Sequence, residues 1–140
     1  MIKFKSKKSI DDEIIRLLAG FSQMHLPALM DELNKWHPPV DVIEVEDKLI
    51  IIAEIAGMSI ENIKITQNED IITIQGTREE TTGKTAPVFH HMEINYGPFE
   101  RNIKIPTYFV DGKINAKYRN GFLQIEIERA EITIRKIEIE

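Results

Sequence analysis

Gly83-Lys84-Thr85 has the ending of a phosphate-cradling loop, and it is the first place in this 140-residue chain to ask for chemistry. The first glycine of such a loop would stand at position 78, which is Arg78, and Pro87 follows where a helix should begin. The segment therefore reads as a turn. His90 and His91 carry metal-ligating nitrogens, but neighbours on an extended chain point to opposite faces and do not readily share an ion. They read as a solvated pair on a strand. His25 and His37 are too far apart in sequence to form a site on spacing alone. Of the four serines, Ser6, Ser9, Ser22 and Ser59, none sits in a G-x-S-x-G turn. Carboxylates such as Glu44, Glu54 and Glu126 could in principle work as an acid and base pair, but their alternating placement is that of a solvated sheet surface. The chain has no cysteine, so thiol nucleophiles, thiolate metal sites and disulfides are all excluded. No enzyme, cofactor or metal is expected.

If the residues do not do chemistry, the elements that carry them set the function. The chain is 42% hydrophobic and 29% charged, enough apolar material for one packed domain. It has 25 isoleucines against one tryptophan and three tyrosines. The apolar content is thus concentrated in a β-branched residue that suits strands. A net charge of -5, with no basic stripe, disfavours nucleic acid as a partner. The longest apolar run, Leu49 to Ala53, is five residues where a membrane span needs about 20. Met1 to Lys8 is basic like the start of a signal peptide, but Asp11, Asp12 and Glu13 occupy the place of its apolar core. With no cysteine, the cytoplasm is the expected compartment.

The chain changes character once. Residues 1–37 contain no valine or threonine and carry a net +1, leaving -6 for the rest. Ser9 followed by acids is a helix start, and Ile10, Ile14, Leu17 and Leu18 share one helical face. A second helical piece is expected across Pro27 to Trp36, with Leu29, Met30, Leu33 and Trp36 on one side. Neither is long enough to be stable alone. Pro38 and Pro39 end this arm, and from Val40 the apolar period becomes two. Strands are expected at Val40 to Val45, Leu49 to Ile55, Ile63 to Thr66, Ile71 to Gln75, Phe99 to Ile105, Ile114 to Tyr118 and Leu123 to Ile127. A further extended piece is expected at Val88 to Ile94, after a polar loop over 77–87. Asn120-Gly121 supplies a tight hairpin turn. Seven or eight such strands pack as a two-sheet antiparallel sandwich. The tail beyond Glu128 still alternates, at Ile132 and Ile134 and again at Ile137 and Ile139. With no local partner, it is suited to pair with another chain.

Two segments resemble motifs of the small heat-shock protein (alpha-crystallin) family. Tyr96-Gly97-Pro98-Phe99-Glu100-Arg101, with Ile105-Pro106, is similar to its Y-G-x-F-x-R and L-P pattern. Ala116-Lys117-Tyr118-Arg119-Asn120-Gly121-Phe122-Leu123 is similar to its A-x-x-x-N-G-x-L pattern, and Ile137-Glu138-Ile139 to its I-x-I tail. The resemblance covers roughly residues 38–128 and the tail. It implies an all-β, immunoglobulin-like antiparallel β-sandwich over 40–128, a partly helical arm over 1–39 and an extended tail over 129–140. It also implies an ATP-independent holdase that binds unfolding clients, forms dimers and assembles further, with ATP-dependent chaperones downstream.

The same resemblance suggests roles for particular residues. Ile137 and Ile139 would dock in a groove walled by Ile63, Ile65, Ile114 and Ala116. Val40, Val42, Phe89, His91, Glu93 and Arg101 would form the dimer interface, the segment Val88 to Glu93 being exchanged onto the partner's first strand. Ile94 follows Glu93 where the family often has Arg, a departure that weakens an ion pair there. Client contacts would fall on the arm, at Ile14, Leu17, Leu18, Phe21, Leu29, Leu33 and Trp36. The alternative is a co-chaperone-like adaptor of the same sandwich architecture with a fixed partner, which would have no need of Ile137 and Ile139.

Overall fold

In the computed structural model, residues 14–15, 26–83, 85–131 and 134–140 are described. The chain divides into two compact units, Met1–Lys35 and Trp36–Glu140. The described part of the first includes a helix, α1, Leu26–Asn34, and Ile14 and Ile15 are also helical. The second contains seven strands: β1 Val40–Val45, β2 Lys48–Glu54, β3 Ile63–Asn68, β4 Ile71–Arg78, β5 Gly97–Lys104, β6 Ile114–Arg119 and β7 Phe122–Glu128. They form two sheets, of order β1-β2-β7-β6 and β3-β4-β5, with every neighbouring pair antiparallel.

Alternation decides which residues meet between the sheets. On β2, Leu49, Ile51 and Ala53 are buried and oppose Ile127, Ile125 and Leu123 of β7. Ile72 and Ile74 of β4, with Phe99 and Ile103 of β5, supply the facing layer. Eight of the 13 core residues are isoleucine, so the β-branched residue that dominates the composition also dominates this interior. No polar or charged side chain is buried among the described residues.

Short turns hold the register. Asn120 and Gly121 both have positive φ, as the β6–β7 hairpin requires. A Cβ on Gly121 would also fall 2.9 Å from the Ala56 Cβ. At Gly76 the reason for glycine is proximity, because a Cβ there would stand 2.2 Å from the Asn62 carbonyl oxygen.

One element differs from expectation and one is left without a partner strand. Val88 to Ile94, expected as an extended piece exchanged onto a partner, forms no ladder with the described strands of its own chain. The strands on either side of it in sequence, β4 and β5, pair directly with each other, which leaves the segment outside the sheet. Trp36 is not on the helix, which ends at Asn34; instead it makes a parallel bridge to Phe99. Its backbone N–H donates to the Pro98 carbonyl (3.1 Å), its indole Nε1 donates to the Gly97 carbonyl (3.1 Å), and its ring lies 5.2 Å from that of Phe99. The sandwich unit therefore begins at Trp36, four residues before the period changes.

Candidate functional site

The two sheets end on opposite strands: β3 is an edge of one and β6 an edge of the other. Ile63 and Ile65 project from β3 at a spacing of two and are half-buried. Opposite them, a hollow of about 160 Å³ is completed by Ala116, Tyr118 and Leu123, with Ile60 at its rim. Three of the four expected wall residues thus line one hollow. The fourth, Ile114, lies farther along β6, packed on the core and opposite Ile127. Tyr118 was not among the expected residues, although it shares the period-two row of Ile114 and Ala116. Its hydroxyl donates to the Ile55 carbonyl (2.9 Å) and accepts from the Met58 N–H (3.3 Å), so the ring is fixed as a wall. Beside the hollow, the Ser59 hydroxyl donates to Glu61 and holds that carboxyl below its usual range.

The tail leaves the sandwich at a defined point. The Arg129 N–H donates to the Asp47 carbonyl (2.8 Å) and the Ala130 N–H to the Tyr108 carbonyl (3.1 Å). The Arg129 guanidinium lies 4.6 Å from the centre of the Tyr108 ring. The Tyr108 hydroxyl donates to Glu44 Oε2 (2.9 Å), and this bond raises the phenol above its usual pKa. Beyond this anchor, Ile137 and Ile139 are 83% and 98% exposed, and Ile134 is 91% exposed. Three bare isoleucines in a segment without secondary structure of its own are what an aliphatic groove between sheet edges can receive, with main-chain bonds available along the strand edge.

At the other end of the four-stranded sheet, β1 is an unpaired edge. Val40 is half-buried, whereas Val42, Ile43 and Val45 are 47%, 42% and 50% exposed. Apolar side chains on an open edge are a template for a second strand. Phe89, His91 and Glu93 are exposed in the loop between β4 and β5, and no ladder joins them to β1 of the same chain. Arg101 belongs to the inward row of β5 with Phe99 and Ile103. Its Nη1 donates to the Pro38 carbonyl (3.1 Å), and no carboxylate pairs with it among the described residues.

On the arm, Ile14 and Leu33 are exposed and Leu29 is half-buried. Leu17, Leu18 and Phe21 lie outside the described residues. Trp36, grouped with them by helical spacing, is held on the sandwich as described above. On the outer face of the larger sheet, Lys48 bonds Glu126; the contact raises the ammonium pKa and lowers that of the carboxyl. Among the described residues, no group of three potential metal ligands occurs and no helix is long and apolar enough to cross a membrane.

The chain itself is similar to known proteins. A family model described as the Hsp20/alpha crystallin family matches residues 41–140. Small heat shock protein C2 of Rickettsia felis is 34% identical over 103 residues, covering 73% of this chain and 67% of that protein. Small heat shock protein C4 of the same organism is 31% identical over 94 residues, covering 67% of this chain and 58% of that protein. Among solved structures, a small heat-shock protein from Xylella fastidiosa, with a distinct high order structure of its own, superposes with a TM-score of 0.64 at 30% identity. That match covers 76% of this chain and 98% of the other.

Proposed function

The chain belongs to the Hsp20/alpha crystallin family, and on that premise we propose that it is an ATP-independent holdase. It binds unfolding clients through the apolar residues of its arm, pairs as a dimer through β1 and the loop segment Val88 to Glu93, and assembles further through its tail. The observation that carries this reading is a complementary pair on one chain: the hollow walled by Ile63, Ile65 and Ala116, and the exposed Ile137 and Ile139. An adaptor with a fixed partner has no use for both. The high order structure of the Xylella relative supports assembly beyond the dimer. The absence of cysteine is in keeping with work in a reducing cytoplasm, upstream of ATP-dependent chaperones.

Light scattering of a heat-denaturing client protein, with and without ATP, tests this reading. The chain is expected to suppress aggregation equally in both. No suppression at equimolar subunits, or suppression only with nucleotide, would overturn it.

A further inference from the structure

Arg78 ends β4 at the point where the loop over 79–96 begins. Its Nε donates to the Asn95 carbonyl (2.8 Å), and its Nη2 donates to the same oxygen. Its Nη1 donates to the Ala56 carbonyl (3.2 Å). The guanidinium carbon lies 4.3 Å from the centre of the Trp36 ring and 5.7 Å from that of Tyr96. The side chain crosses directly over Gly57, where a Cβ would stand 3.8 Å from its Cδ. One planar cation, rooted where the loop begins, therefore touches the start of the sandwich unit, the β2–β3 turn, and the far end of the loop that carries Val88, Phe89, Met92 and Ile94 on the surface.

We propose that Arg78 is a positioning residue: it closes the base of the loop and fixes Trp36 in the same contact, so that the loop is held ready to add to a partner's strand. The β4–β5 ladder already brings the loop's ends together at Arg78 and Gly97, and the guanidinium extends that closure to Asn95 and Tyr96, so that less conformational freedom remains to be lost on pairing. A hollow of about 260 Å³ bordered by Gly57, Arg78, Ile94 and Tyr96 lies at the loop's base, where beyond the ladder the guanidinium supplies the bonds to Asn95 and Ala56. Only the arginine fork fits these contacts, since lysine has one nitrogen and cannot reach Asn95 and Ala56 while stacking on the indole. Because Trp36 is where the arm joins the sandwich, displacement of Trp36 also loosens the loop. Dimer strength thereby becomes coupled to the arm's point of attachment. The coupling to dimerisation rests on the function proposed above, whereas the closing of the loop does not.

The test uses the full chain with Arg78→Met and Arg78→Lys, and Arg119→Met as a control on an exposed cation elsewhere. Trp36 is the single tryptophan, so its emission reports the contact directly. Chymotryptic cleavage after Phe89 reports the loop, and sedimentation reports the dimer dissociation constant. For Arg78→Met the emission is expected to shift to the red, loop cleavage to accelerate, and the dimer to weaken by about tenfold or more. Arg78→Lys should change both loop and dimer in the same direction, and Arg119→Met should change none of the three. Unchanged emission and cleavage in Arg78→Met would overturn the assignment of Arg78, as would a shift in emission with no effect on the loop. A loosened loop with an unchanged dimer constant would leave Arg78 as the loop's tether and overturn both the coupling and the dimer strand on which it rests. Thermal melts accompany each variant, and a general loss of fold in Arg78→Lys as well as Arg78→Met would overturn the positioning role in favour of a purely structural one.

Discussion

Arg101 Nη1 stands 3.1 Å from the carbonyl oxygen of Pro38, so an inward-facing cation on β5 holds the residue that leads into β1. Pro38 is itself fully buried, which fixes its carbonyl for the bond. Lys104, three residues on, is 78% exposed and lies 3.7 Å from Asp70. A hydrogen bond to a charged donor is worth about 1.5–3 kcal/mol and a surface ion pair about 0–1 kcal/mol. Arg101→Ala is therefore expected to lower the melting temperature clearly more than Lys104→Ala, as measured by calorimetry. Equal shifts would show that the Pro38 contact contributes nothing.

Replacing Ile137 and Ile139 together with Ala is expected to reduce the assembly to dimers while the circular dichroism of the sandwich is retained. In the proposed assembly each docked isoleucine would contribute about 1.5–3 kcal/mol, and every subunit of a closed particle would both give and receive a tail. Native mass spectrometry reads the outcome. If the same change at Ile132 and Ile134 dissociates the particle and this one does not, the inner pair is the docking pair.

The Lys48–Glu126 contact makes a prediction about pH. The bond from Lys48 depresses the Glu126 carboxyl below its ordinary value of 4.5. The folded state thus binds this proton less well than the unfolded chain does. The contribution is complete above the ordinary value and is lost as pH falls through the depressed one. Lys48 is raised above 10.5, so on the alkaline side the contribution persists to that value and disappears beyond it. The difference in melting temperature between the wild type and Glu126→Gln should be small and constant across the neutral range, and should vanish in acid. A gap that widens on acidification would contradict this.

Three glycine-to-alanine changes should rank by their surroundings. Gly76→Ala drives a methyl against a backbone oxygen and Gly121→Ala against Ala56 at a positive φ; each is expected to cost about 1–3 kcal/mol. Gly83 also has positive φ but meets no atom within 4 Å, so Gly83→Ala bears only the conformational cost of about 1–2 kcal/mol. Urea midpoints measure the order, and Gly83→Ala emerging as the most disruptive would refute it.

The strand positions were legible because their signal is local. Alternation at Val40 to Val45 matches β1 end for end, and Asn120-Gly121 marks the hairpin that the positive φ values require. A spacing of two put Ile63 with Ile65 and Ile114 with Ala116 on common strand faces, but only the resemblance to the family suggested that the two strands share a groove; Ile63, Ile65 and Ala116 line one hollow. Helical spacing misled at Trp36: a period of three or four from Leu33 is compatible with a helix, but packing on Phe99 is stronger than one more turn after Asn34.

By itself, the sequence determined the two-layer β architecture, the inward rows of isoleucine, and the presence of a tail with paired isoleucines. All of these follow from periodicity along a few neighbouring residues. Only the tertiary structure decided that β3 and β6 border a common hollow, that Tyr118 is locked into its wall, and that Arg78 joins Trp36, Ala56 and Asn95. Those contacts link residues about 20 to 60 positions apart. Which distant residues meet depends on how two sheets stack and on which strands lie at their edges, and no spacing along the chain encodes that.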